Sequence, residues 1–196
     1  MAADYAKMAE NLSRFYDFRG KVVLFVGAGG RQLLDPELGM KKLIAIDRNV
    51  EALKGLETSI AAKLGRIDVV GASFENVSVS GDVVYFEFCL HETSDPPLAL
   101  THARTLAPDT VVFDHLPDSP WSFHAAEEDK VRRSTEAMER FGIRRRHSLS
   151  VEQRFGDYDE LLAKIGVQGE VAIQRAQRFR GATNIVIPMN CGLALL

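Results

Sequence analysis

Apolar residues along this chain follow two rhythms. Unbroken runs rich in β-branched and aromatic residues occur at Val22–Val26, Leu43–Ile46, Ile67–Val70, Asp82–Phe88 and Thr110–Phe113, and most of them stop at Gly or Asp. That pattern belongs to strands buried on both faces of a parallel sheet. Between the runs the spacing changes to three and four. Tyr5, Met8, Ala9, Leu12, Phe15 and Tyr16 mark one face of an N-terminal helix within residues 1–20. Asn49 is a suitable N-cap for a helix over Val50–Leu64, with Val50, Leu53, Glu57, Ile60 and Leu64 as its stripe and Gly65 as its stop. Gln32–Leu34 start a short helix that Asp35-Pro36 interrupts, and Pro96-Pro97 open another that reaches Leu106. A charged helix over residues 122–142 packs through Val131, Met138 and Phe141, and Tyr158–Ile165 form the last helix. Val171–Phe179 and Thr183–Met189, separated by Arg180-Gly181-Ala182, predict a C-terminal antiparallel hairpin. The alternation implies an α/β fold: a doubly wound, mostly parallel sheet with right-handed crossovers.

Length and composition narrow the picture. The 196 residues, 46% of them hydrophobic, suit one domain over 1–196, with 117–156 as a lid or substrate-side insertion. A formal net charge of −3 provides no global field for nucleic acid or an anionic membrane. The run Arg144-Arg145-Arg146-His147, with Arg175, Arg178 and Arg180, lacks interleaved aromatics and reads as a solvated or self-paired face. No apolar run reaches the ~20 residues of a membrane span, and no targeting pattern opens the chain, so a cytoplasmic location is expected. Cys89 and Cys191 have no Cys neighbour at metal or redox spacing and are expected as reduced, buried thiols. Glu87, Asp114 and His115 could converge on a divalent cation, but a hard ion prefers oxygen donors and His115 is a poor third ligand, so no metal is expected.

The first strand ends in Gly27-Ala28-Gly29-Gly30 and the second in Asp47. A tight turn lets backbone approach a ligand, and a carboxylate at the next strand tip can accept from two ribose hydroxyls, so a nucleoside fits there. A dinucleotide fingerprint wants a third glycine where this chain has Gln32.

Val23-Leu-Phe-Val-Gly-Ala-Gly-Gly, Ile44-Ala-Ile-Asp47, Val70-Gly-Ala-Ser-Phe-Glu75 and Asp82-Val-Val-Tyr-Phe-Glu-Phe-Cys-Leu-His91 together resemble the four motifs of the class I S-adenosylmethionine-dependent methyltransferases, in particular the small single-domain enzymes that modify metabolites. The resemblance implies a Rossmann-like seven-stranded sheet and S-adenosylmethionine as cofactor. Carried over by position, Gly27, Ala28, Gly29 and Gly30 would line the methionyl moiety and Asp47 would hold the ribose. Arg48, Ser73 and Phe74 would bound the adenine, and Glu87 and Phe88 would lie beside the sulfonium. Phe25, Arg31 and Ala72 depart from the family pattern. They keep open a regulatory or scaffolding protein that binds the cofactor without transfer, with an NAD-dependent oxidoreductase as a third reading.

Ligand crevices of open α/β sheets lie outside the carboxyl ends of the strands. This selects His91, after the fourth strand, and His115, at the end of the fifth, as candidate proton acceptors for a small-molecule nucleophile. Tyr16, Trp121 and His124 are candidates for the substrate wall. The acceptor itself is left open, as is the oligomeric state, a homodimer among the options.

Overall fold

A computed structural model describes residues 2–28, 38–56 and 67–196. The short helix expected at Gln32–Leu34, the turn residues Gly29 and Gly30, Arg31, and the stripe positions Glu57, Ile60 and Leu64 lie outside the described residues.

Among the described residues, eight strands form one sheet: β1 (Ala2–Ala3), β2 (Val22–Val26), β3 (Lys42–Asp47), β4 (Ile67–Gly71), β5 (Val83–Glu87), β6 (Asp109–His115), β7 (Arg145–Asp157) and β8 (Thr183–Leu195). Their order is β1-β7-β8-β6-β5-β2-β3-β4. Strands β2 to β6 pair in parallel, whereas β8 runs antiparallel to both β6 and β7. Apart from the two-residue edge strand β1, this is the expected seven-stranded sheet, mostly parallel with an antiparallel C-terminal pair. The helices are α1 (Tyr5–Phe15), α2 (described over 50–56), α3 (Pro96–Leu106), α4 (Pro120–His124), α5 (Glu128–Phe141), α6 (Tyr158–Ile165) and α7 (Glu170–Ala176).

Period-two alternation sends successive strand residues to opposite faces, and both faces are covered. Val23, Phe25, Tyr85 and Phe113 join Met8, Leu12 and Phe15 of α1 and Leu161 and Ile165 of α6 in one core. Leu24, Val26, Val84 and Phe86 join Ala99, Leu100 and Ala103 of α3 in the other. Asp95 caps α3 by accepting from the Leu98 N–H (2.9 Å), and Asn49 caps α2 by accepting from Ala52 (3.1 Å). No helix among the described residues is long and apolar enough to cross a membrane.

Three expectations are corrected. Val171–Phe179 is helix α7 followed by a 3-10 turn, because its buried residues, Ala172 and Ala176, stand four apart while Val171 is 50% exposed. Arg175, Arg178 and Arg180 therefore do not lie on a hairpin. The partner of β8 is β7, where Val151, Gln153 and Phe155 point inward between exposed neighbours. Residues 145–156, expected within an insertion, thus belong to the sheet, and the helix expected over 122–142 is two helices, α4 and α5.

The chain adds β3 and β4 on one side of β2, then returns to place β5 and β6 on the other. The direction of winding reverses between β2 and β5, and the carboxyl ends of that pair open a crevice.

Candidate active site

A cavity of about 500 Å³ lies at this reversal, lined by Val26 and Gly27 after β2, Ile46 to Arg48 after β3, Ala72 to Glu75 after β4, and Cys89 with Glu92 to Ser94 after β5. Its floor is tightly packed. Gly27 has φ 77°, and a Cβ there would stand 2.7 Å from both Cβ and Sγ of Cys89. The Cys89 thiol donates to the Val26 carbonyl (3.2 Å), and the Gly27 N–H donates to the Ile46 carbonyl (3.0 Å). Asp47 Oδ1 accepts from the Asn49 N–H (2.7 Å), which fixes the carboxylate at the tip of β3. On the other wall Phe74 meets Phe86 and His102 edge-on at 5.2 and 5.1 Å, while His102 Nε2 lies 2.9 Å from the Val77 carbonyl oxygen.

Behind Cys89 and Glu92, the tips of β5 and β6 bring together a buried polar cluster. His91 Nδ1 is 2.5 Å from Asp114 Oδ1, and the His91 Nε2 lies 3.5 Å from Glu92 and 4.0 Å from Glu127. Asp114 also accepts from the N–H groups of His91 (3.1 Å) and His115 (2.9 Å). The rings of His91 and His115 are 5.4 Å apart. His91, Asp114, His115 and Glu127 are all less than 10% exposed.

Burial and charge set opposite protonation states within this cluster. Burial opposes a charged His91, but the adjoining Asp114 carboxylate, with Glu92 and Glu127, outweighs it and raises the imidazole to about 10. Burial dominates at His115 and pushes it down to about 4. Asp114 is held below the ordinary carboxylate range, since His91 and the His115 N–H overcome its burial. Burial lifts Glu127 to about 7, aided by the Glu92 charge, whereas the His91 contact and Lys130 (2.8 Å) hold Glu92 near 2. Charge therefore favours the protonated form of His91, while burial favours the neutral forms of His115 and Glu127.

The expected site residues divide into three sets. Gly27, Asp47, Arg48, Ser73 and Phe74 line the cavity, and Ala28 is buried beneath the turn. His91 and His115 come together behind it, next to Glu87, which accepts from the Tyr85 hydroxyl (2.8 Å), and Phe88, whose ring meets His115 at 4.9 Å. Tyr16, Trp121 and His124 are placed elsewhere. Tyr16 donates to Asp109 Oδ2 (2.6 Å) at the start of β6, about 20 Å of strand from the crevice end. Trp121 stacks on Phe155 in the core, and His124 stands between Phe123 and Phe179. Sequence reasoning missed Cys89, Glu92, Thr93 and Ser94 as lining residues and Glu127 as a buried one. Glu92 adjoins a candidate histidine, which was a usable signal. Glu127 opens the acidic stretch Glu127-Glu128-Asp129 and looks like surface.

No protein-family model and no curated protein sequence matches the chain. Solved structures do. A SAM-dependent methyltransferase from Aquifex aeolicus shares 18% identity and a TM-score of 0.58, covering 98% of this chain and 89% of that one. A Pyrococcus horikoshii protein provisionally described as an RNA methyltransferase matches at 15% identity and TM-score 0.61, over 97% and 82% of the two chains. The plantazolicin methyltransferase BpumL, solved with S-adenosylhomocysteine, matches at 17% identity and TM-score 0.53, over 97% and 84%. The fold is that of class I S-adenosylmethionine-dependent methyltransferases, as the motifs implied.

Proposed function

We propose that this chain is an S-adenosylmethionine-dependent methyltransferase acting on a small molecule. The observation that carries the reading is the joint geometry at the β2–β5 reversal: a cavity framed by Gly27, Asp47, Ser73 and Phe74, with a buried acid–base cluster directly behind Cys89 and Glu92. The residues fit the cofactor. Gly27 leaves open backbone where any side chain would strike Cys89, Asp47 offers a carboxylate at ribose position, and Phe74 offers an apolar wall for a base. When bound, S-adenosylmethionine supplies an electrophilic methyl group on a sulfonium.

The chain's own residues orient the acceptor, exclude water and take its proton. Without a bound ion, Asp114 favours the protonated form of His91, which then donates and orients, while His115 and Glu127 are the groups able to accept a proton from a hydroxyl, phenol or ammonium. A small acceptor is supported by the pairing of the arginine run: Arg144 with Asp109, Arg145 over the Phe15 ring, Arg146 with Glu139.

Calorimetric titration with S-adenosylmethionine, S-adenosylhomocysteine and NAD tests the cofactor. Binding of the first two and none of NAD is expected, and the reverse overturns the proposal. Release of S-adenosylhomocysteine over a panel of phenols, amines, thiols, carboxylates and an RNA oligonucleotide tests the acceptor class. The second reading, a binding protein without transfer, draws on Phe25, which stacks on Tyr85 (5.5 Å) at a position the family fills with an acidic residue. Binding without turnover across the panel would favour it.

A further inference from the structure

His91, His115 and Glu127 come from three different elements, and one ligand atom of each lies within 4.8 Å of the others. All three are less than 10% exposed. We infer that these residues form a binding site for a divalent first-row transition-metal ion, with Asp114 as the carboxylate that orients His91.

By spacing, the donors at these strand tips would be Glu87, Asp114 and His115, a set on which no metal is expected. The geometry assembles a different set. Glu87 is turned to the Tyr85 hydroxyl, and Asp114 is occupied by His91 Nδ1 and two backbone N–H groups. Asp114 thereby holds His91 so that its Nε2 faces Glu92 and Glu127, the arrangement by which a carboxylate fixes the tautomer and direction of a metal-bound imidazole. An independent observation points to a missing partner. His115 Nδ1 is buried and has no hydrogen-bond partner, although its ring lies beside His91 and Phe88. A buried imidazole nitrogen left without a partner is costly, and a cation among the three donors removes that cost.

Donor chemistry selects the ion. Binding displaces the His91 Nε2 proton to solvent, and the two imidazoles and one carboxylate then suit zinc, manganese or iron in the +2 state, whereas magnesium prefers oxygen alone. Around zinc with bonds of about 2.0–2.1 Å, tetrahedral donors stand about 3.3 Å apart. The separations, 4.0 Å for His91–Glu127 and up to 4.8 Å across the three donors, would close to that value by side-chain movement on binding. Glu92, 3.5 Å from His91 Nε2 and on the cavity wall, stands between the site and the cavity. The inference does not depend on the cofactor: the cluster would take its ion whether or not the cavity takes S-adenosylmethionine.

The test titrates the full chain, stripped with a chelator and dialysed, with Zn²⁺, Mn²⁺ and Mg²⁺ separately, with no cofactor present. One equivalent of Zn²⁺ or Mn²⁺ is expected to bind, with Mg²⁺ much weaker. His115→Gln and Glu127→Gln should each lower affinity tenfold or more, Asp114→Asn should do so to a similar degree through His91, and His147→Gln, outside the cluster, should change nothing. Thermal melts without metal identify variants that keep the parent fold, and Co²⁺ absorption spectra report nitrogen and oxygen donors directly. Failure of the parent chain to bind either ion, or binding that a folded His115→Gln and a folded Glu127→Gln both leave intact, overturns the inference. Failure of the methyltransferase reading would instead appear as loss of S-adenosylmethionine binding with the metal isotherm preserved.

Discussion

Replacing Gly27 by Ala should destabilise the protein by about 3 kcal/mol, and two separate terms make up that figure. The residue sits at φ 77°, where an L side chain costs about 1–2 kcal/mol. The added Cβ would also stand 2.7 Å from both the Cβ and the Sγ of Cys89, closer than unbonded carbon atoms tolerate. Relieving that overlap means displacing the turn that β5 leans on, an overpacking cost of about 1–3 kcal/mol. Only the second term depends on Cys89, so the two can be separated. Equilibrium urea unfolding of Gly27→Ala, Cys89→Gly and the double variant forms a cycle in which the steric term disappears from the double variant and the backbone term remains. A coupling of about 1–3 kcal/mol in favour of the double variant is expected. Additivity to within about 0.5 kcal/mol would refute the packing argument, and with it the claim that glycine is needed at this turn for close approach as well as for conformation.

Further tests address the cavity and the far end of the sheet. Asp47→Ala should weaken S-adenosylmethionine binding by roughly tenfold or more through loss of two ribose hydrogen bonds, measured by calorimetry; an unchanged affinity places the ribose elsewhere. His102→Ala removes the edge contact that steadies Phe74, worth about 0.5–1.5 kcal/mol, and should weaken the same isotherm by about two- to tenfold without touching the ligand. Tyr16→Phe should cost about 1 kcal/mol in stability and leave cofactor affinity unchanged, since its hydroxyl serves Asp109. Burial works against the Asp109 charge, but Tyr16, Arg144 and Lys21 outweigh it and hold the carboxyl below its ordinary value. Its contribution is therefore complete above the ordinary carboxyl range and lost as pH falls through the depressed value, so Asp109→Asn should flatten the acid limb of a stability–pH profile.

The parallel half of the fold was legible because its strands are buried on both faces. Val22–Val26 and Val83–Phe86 are hydrophobic without interruption, and their short length, β-branched and aromatic content and flanking glycines favour a central strand. The antiparallel half was harder. β7 begins with Arg145, Arg146 and His147, whose exposed side chains carry no inward partner until Val151, so its period of two emerges only in its second half. Val171–Phe179 failed for the opposite reason. It contains β-formers, but its buried positions are alanines, whose small side chains give a weak periodic signal, and packing against α6 and α4 decided for helix.

The cavity was legible where one short segment carried the whole signal, as with Gly27, Asp47 and Ser73-Phe74. The cluster behind it was not, because it exists only through pairing. Glu87 sits in register with Phe113 across β5 and β6, and this places the residues that follow each strand side by side: His91 from one, Asp114 and His115 from the other. Glu127 then arrives from before α5, with its N–H donating to the Ser122 carbonyl (2.8 Å) in a turn that folds it inward, whereas its neighbour Glu128 faces out to Arg175. Nothing in the local pattern separates those two glutamates. Asp114 is the point at which scaffold and chemistry meet: it stands next to last in a core strand, takes two backbone N–H groups as any turn carboxylate would, and spends its remaining capacity on the His91 imidazole. A carboxylate used in that way is invisible to a reading by spacing, because its role is to decide where another residue points.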